Sequence, residues 1–89
     1  MIEAMAAAGE AQGLAPNLAM QLARATVIGA ARLAEGSDDS AATLRQNVTS
    51  PNGTTAAALA VLMDNTSGLP PLMARAIAAA ATRSKELAE

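Results

Sequence analysis

Alanine fills 25 of the 89 positions, and no Phe, Tyr or Trp stands among the rest. That pairing constrains the fold more than any motif does. Alanine is the best helix former because it loses no side-chain entropy in a helix. With no rings, and only 10 Leu, 3 Ile, 3 Val and 5 Met to add bulk, any interior is thin. Leu, Ile and Val together make 16 of 89 residues, under the roughly 20% at which disorder becomes a concern. Disorder also requires a high net charge, and here it is only -2. The expectation is an all-α chain whose core is small for a monomer. Burial against a second copy relieves that shortage, so a homodimer is expected.

Missing residue types remove whole classes of chemistry. Without Cys there is no disulfide framework, no thiolate zinc site and no redox thiol. Without His there is no Ser–His or Cys–His pair and no imidazole proton shuttle. Six basic against eight acidic side chains form no basic footprint for a phosphate backbone, and no aromatic platform exists for stacking bases. A nucleic-acid partner is therefore disfavoured. The longest uncharged run, Gln46 to Met63, contains Pro51, Asn52, Gly53 and several hydroxyls, so it fails as an apolar membrane span. Glu3 and the lack of a basic start argue against a signal peptide. A cytoplasmic location follows as the default. In that setting the N-x-[ST] triplets at Asn47, Asn52 and Asn65 are not glycan sites.

The pattern divides into about five helices within one domain, 1–89. The first covers 1–12 and ends at Gly13, a C-cap residue. It has no N-cap ahead of Ile2 and reads as cut into, with the natural chain expected to begin earlier. The second covers 16–35, with Pro16 in the first turn and Gly36 as its stop. Leu18, Leu22, Ala25, Gly29 and Leu33 share one of its faces, while Met20, Val27, Ala31 and Ala34 share another. That width predicts burial on more than one side. The third covers 41–47, capped by Ser40 or Asp39. The fourth covers 54–66 and stops at Thr66-Ser67-Gly68. The fifth covers 70–87 behind Pro70-Pro71. Its last turns hold Arg83 and Lys85, which suit a helix C-terminus. No strand, no internal repeat and no G-x-G-x-x-G is present, so this chain has no dinucleotide-binding unit of its own.

One loop stands apart, Val48-Thr49-Ser50-Pro51-Asn52-Gly53-Thr54-Thr55. It places four hydroxyls, a Pro and a Gly directly before a helix. Two readings stay open. Ser, Thr and Asn are the usual N-caps, and spacing alone favours that role. The free N–H groups of a helix start, with the positive end of its dipole, also make a site for a small carboxylate. Asp38-Asp39 reads as a solvated loop rather than a metal site, because two adjacent acids bring no further ligands. The methionines read as core gap-fillers. Arg24 and Arg32 read as a solvated stripe or as interface pairs. No metal is expected.

At this loop the sequence resembles a known family. Arg45-Gln46-Asn47-Val48-Thr49-Ser50-Pro51-Asn52-Gly53-Thr54-Thr55 looks like the signature of pyrroline-5-carboxylate reductase. Glu10-Ala11-Gln12-Gly13-Leu14 and Thr26-Val27-Ile28-Gly29-Ala30-Ala31 resemble its preceding helices. Ala79-Ala80-Ala81-Thr82-Arg83-Ser84-Lys85-Glu86-Leu87 resembles its closing helix. The likeness covers essentially all 89 residues, but only the C-terminal part of that enzyme.

The resemblance implies an oxidoreductase of proline biosynthesis, reducing 1-pyrroline-5-carboxylate to L-proline with NADH or NADPH. It implies an N-terminal Rossmann domain, absent from this chain, and an all-α C-terminal domain that interlocks with its twin. Dimers of the family often assemble further. By position, Ser50, Gly53, Thr54 and Thr55 would hold the substrate carboxylate, Thr55 would also approach the ring nitrogen as the catalytic group, and Asn47 would lie near the cofactor. The segment alone is expected to be inactive. Two departures stand out. Asn52-Gly53 replaces the family's Gly-Gly, and Asn tolerates positive φ better than most residues. Ser67-Gly68-Leu69 replaces its Gly-Gly-Phe. The alternative is a structural helical dimerisation module with no catalytic role.

Overall fold

The computed structural model describes residues 1–89 and contains five helices and no strand. They are α1 (Ile2–Ala11), α2 (Pro16–Gly36), α3 (Ala41–Asn47), α4 (Thr54–Leu62) and α5 (Leu69–Ala88). The all-α expectation holds. The polypeptide divides into two compact units, Met1–Leu44 and Arg45–Glu89, with the division inside α3.

In the first unit, α1 and α2 pack as a helical hairpin whose joint is set by local chemistry. Gly13 adopts φ +104, which only glycine reaches without cost. Its N–H donates to the Glu10 carbonyl at 2.9 Å, and the Leu14 N–H donates to the Gly9 carbonyl at 3.1 Å. These are the paired bonds of a Schellman ending. Pro16 then opens α2, where its missing N–H is no loss.

The packing itself departs from the pattern read in the sequence. The buried side chains facing α1 are Ala19 and Ala23, against Ala6, with Ile2, Met5 and Met20 around them. Leu22 and Leu33, expected on a buried stripe, are 47% and 50% exposed. The physical reason is close approach. A Cβ placed on Gly9 would sit 3.5 Å from the Ala19 Cβ and 3.2 Å from a Leu14 methyl. Small side chains let the helices draw together, and leucine at Ala19 would force them apart. Ala19→Leu is therefore expected to destabilise by about 1–3 kcal/mol through overpacking. Thermal unfolding at fixed protein concentration reads this directly, and an unchanged midpoint would show that α1 does not sit on Ala19.

In the second unit no large side chain is fully buried. Val61, Leu62, Met63, Leu69, Leu72, Met73 and Ile77 are all exposed. The total exposed area is 7115 Å² for 8.8 kDa. Two separate globules of half the mass would together expose about 5,800 Å². Large apolar side chains stand uncovered in both units, Leu22 and Leu33 in the first and Val61 and Ile77 in the second. The thin core inferred from composition has become three alanines.

The helix ends between α4 and α5 also differ from expectation. The fourth helix stops at Leu62 rather than running to Thr66. Asp64 is the cause. Its carboxylate accepts from the N–H groups of Thr66 at 3.0 Å and Ser67 at 2.7 Å, and from the Ser67 hydroxyl at 3.0 Å. The Gly68 N–H donates to the Asp64 carbonyl at 3.0 Å, closing the turn. A side chain that binds the backbone ahead of it competes with the helix ladder.

Those bonds favour the ionised carboxylate. The Ser67 N–H is the largest contribution, and the Thr66 N–H and Ser67 hydroxyl add to it, so Asp64 titrates below its ordinary 3.8. The sign follows from linkage. A depressed native value means that the stabilisation is complete above the unfolded value and is lost as pH falls through the native one. Asp64→Asn is expected to remove that acid-dependent loss near and below 3.8. Helical circular dichroism from neutral pH down to strong acid checks it, and parallel titration curves for the two proteins would refute it.

Candidate functional site

The hydroxyl-rich loop lies wholly in the second unit and begins where α3 ends. The Thr49 N–H donates to the Gln46 carbonyl at 3.1 Å, and its hydroxyl donates to the Arg45 carbonyl at 2.7 Å. Thr49 therefore satisfies carbonyls that a helix end leaves free. Asn47 is the last residue of α3 and is exposed.

A tight turn follows, Ser50-Pro51-Asn52-Gly53. The Gly53 N–H donates to the Ser50 carbonyl at 3.0 Å. Pro51 takes the second position, and Asn52 takes the third with φ 61. This is the type II pattern, in which the third residue needs positive φ. Asn52 is the only non-glycine residue with positive φ, as its identity allows. Gly53 has an ordinary φ of -84, so its lack of a side chain serves another purpose. A Cβ at Gly53 would stand 3.2 Å from the Ser50 carbonyl oxygen and 3.4 Å from the Ser50 Cβ. Glycine lets the turn fold flat against the start of α4.

Gly53 is also the N-cap of α4, and that helix has no side-chain cap. The capping reading of the loop, favoured by spacing alone, does not hold here. The reason is positional: the hydroxyls flank the cap residue, and the cap residue has none. The starts of α1, α2 and α5 also have no side-chain cap, but Glu3 stands in the first turn of α1 and prolines open α2 and α5. Ser40 accepts the Thr43 N–H at 3.1 Å at the start of α3, while Asp39 does not cap it. At the start of α5, Pro70 and Pro71 have no N–H to satisfy. At α4, the N–H groups of Thr54, Thr55 and Ala56 precede the first helical bond, which runs from the Ala57 N–H to the Gly53 carbonyl at 3.1 Å. With no acidic residue in that first turn, the positive end of the α4 dipole is uncompensated.

The residues singled out in the sequence thus fall on one short stretch. Gly53, Thr54 and Thr55 form the cap and first positions of α4. Ser50 supplies the carbonyl that closes the turn. Thr55 is half-buried, while Ser50 and Thr54 are exposed. Donors follow one another along that stretch without a base, a thiol or an acid among them. Such an arrangement can bind and orient a small anion, but it holds no strong acid or base to move a proton. No group of three or more acidic side chains gathers to hold a metal ion. Asp38 and Asp39 are exposed, and the Asp39 N–H is bound by the Ser37 hydroxyl at 3.1 Å. Thr49 and Asp64, which shape the loop and the turn after α4, are residues that sequence reasoning did not single out. An Asp followed by Thr and Ser within three positions was the available signal for the second.

Comparison with known proteins agrees with the resemblance read from the loop. A family model described as pyrroline-5-carboxylate reductase dimerisation matches residues 1–87. The chain is 45% identical over its whole length to a pyrroline-5-carboxylate reductase of Pseudomonas aeruginosa, of which it covers 32%. It is 44% identical to that of Pisum sativum, with 97% of this chain and 31% of the relative covered. It is 38% identical to pyrroline-5-carboxylate reductase 1 of Bacillus subtilis, with 100% and 29% covered. The chain spans about a third of the length of the relatives it matches. A match running through every helix and through the donor loop leaves one conclusion: this chain belongs to the pyrroline-5-carboxylate reductase dimerisation family.

Proposed function

We propose that residues 1–89 act as the C-terminal dimerisation and substrate-loop domain of a cytoplasmic pyrroline-5-carboxylate reductase, which reduces 1-pyrroline-5-carboxylate to L-proline. The single observation that carries the reading is the start of α4, which has no side-chain cap, no acidic residue and no proline in its first turn, within a protein whose relatives bear that enzyme's name. The N–H groups of Thr54 and Thr55 and the hydroxyls of Ser50, Thr54 and Thr55 hold the substrate carboxylate. Gly53 keeps the turn flat so that the anion can approach the helix start. Carboxylate capture fixes the ring, and the Thr55 hydroxyl then meets its nitrogen.

NADH or NADPH supplies the hydride when bound. This chain has no strand and no glycine-rich turn to cradle a dinucleotide. The resemblance to the family puts the cofactor on an N-terminal Rossmann domain of the complete enzyme, with Asn47 of this chain near it. The exposed leucines of α2 and the apolar faces of α4 and α5 are covered by a second, interlocking copy, because obligate dimers bury about 2,000 Å² or more of such surface. A structural dimerisation module is the second reading, favoured by Asn52 in place of the family's glycine.

Joining residues 1–89 behind a dinucleotide-binding domain of the same family tests the proposal. The fusion is expected to form proline and consume reduced nicotinamide, while the 89-residue segment alone does neither and scatters light as a dimer at micromolar concentration. A dimeric fusion with no turnover favours the structural module. A monomer would remove the dimer, and turnover by the segment alone would remove the division of labour.

A further inference from the structure

We infer that Asn52 is a spontaneous deamidation site, so that ageing places a carboxylate one residue ahead of the α4 cap. The sequence holds four asparagines, and only Asn52 is followed by glycine. Asn17 precedes Leu18, Asn47 precedes Val48 and Asn65 precedes Thr66. The Thr66 N–H is moreover held by the Asp64 carboxylate. Asn52 is exposed, and none of the side-chain hydrogen bonds involves it. Gly53 brings no side chain to hinder its own nitrogen, and its backbone is the freest of any residue type. What opposes the reaction is one local bond, from the Gly53 N–H to the Ser50 carbonyl at 3.0 Å. It spans a single turn, in which Asn52 is exposed and Gly53 half-buried.

The step balances without any added reagent but water. The backbone nitrogen of Gly53 attacks Cγ of Asn52 and gives up its proton to solvent. The new N–Cγ bond closes a five-membered imide. The bond from Cγ to Nδ2 of Asn52 breaks, and the released nitrogen takes up a proton and leaves as ammonia. Water then opens either imide carbonyl, leaving aspartate or isoaspartate. Both products carry a negative charge next to the unpaired N–H groups of Thr54 and Thr55. Isoaspartate also lengthens the backbone of the turn that holds Gly53 flat.

A carboxylate there is drawn to the same helix start that the proposed substrate needs. This consequence rests on the function proposed above, whereas the chemistry does not. The test separates them. The 89-residue protein is incubated under mildly alkaline conditions, digested, and read by mass spectrometry with fragmentation that distinguishes isoaspartate. Asn52 is expected to convert at least about tenfold faster than Asn17, Asn47 or Asn65 in the folded protein. Asn52→Gly is expected to abolish the change. An Asn52 that survives in the folded protein but converts in urea, or one no faster than its counterparts, would overturn the inference. In an active fusion, Asn52→Asp is expected to raise KM for 1-pyrroline-5-carboxylate roughly two- to fivefold over Asn52→Gly, with kcat little moved. Equal KM values there would remove the electrostatic consequence and leave the mass result standing.

Discussion

In an active fusion carrying a dinucleotide-binding domain, Thr55→Ala is expected to lower kcat/KM for 1-pyrroline-5-carboxylate by about 10²–10³-fold, the usual cost of deleting one preorganised donor. Thr55 is half-buried, at the second position of α4, and unlike the half-buried Thr49 its hydroxyl is not bound to a carbonyl of the preceding helix. Its backbone N–H survives the substitution, so carboxylate capture is weakened rather than abolished. The larger loss should fall on kcat, since the hydroxyl is assigned to the ring nitrogen, where charge develops as the C=N bond is reduced. Thr55→Ser, which keeps the hydroxyl, should recover most of the rate. Ser40→Ala is the useful comparison, because it removes a hydroxyl cap from α3. It should cost stability by about 1 kcal/mol and leave kcat nearly unchanged. If Thr55→Ala stayed within about twofold of the parent, the reading of α4 as the substrate-binding helix would fail.

The second large effect is structural. Gly68→Ala is expected to destabilise by about 2–4 kcal/mol. Gly68 has an ordinary φ of -85, so the cause is steric and not a forbidden backbone. An added Cβ would stand 2.5 Å from the Asp64 nitrogen, the Asp64 carbonyl oxygen and the Leu62 carbonyl oxygen. All three are backbone atoms that no rotamer change can move aside. The turn must open, and the Gly68 N–H bond to the Asp64 carbonyl and the carboxylate bonds to Thr66 and Ser67 go with it. For a protein of this size that loss corresponds to roughly 10–20 °C in Tm. It must be measured at one protein concentration, because dimer stability depends on it. A shift of only a degree or two would mean that the turn relaxes without cost.

Much of the local structure was legible because its causes lie within a few residues. Gly13 ends α1 through positive φ, Pro16 starts α2, and Ser40 caps α3, each as its side chain dictates. The sharp turn of the donor loop was also legible in Pro51-Asn52-Gly53. The extent of α4 was not, because its stop comes from the bonds of the Asp64 carboxylate to Thr66 and Ser67, which the spacing of apolar residues does not register.

By itself the sequence determined that this protein is helical, where four of its five helices begin and end to within a residue, and that its donors cluster before α4. Alanine propensity, glycine and proline φ, and hydroxyl caps act over one turn and need no partner. Only the tertiary structure decided that α1 covers Ala19 and Ala23 instead of the leucine stripe, and that α4 starts without a side-chain cap. Apolar width along a helix says how much surface wants cover. Which face is covered depends on how closely another backbone can approach, and that is set by groups distant in sequence, here Gly9 against Ala19.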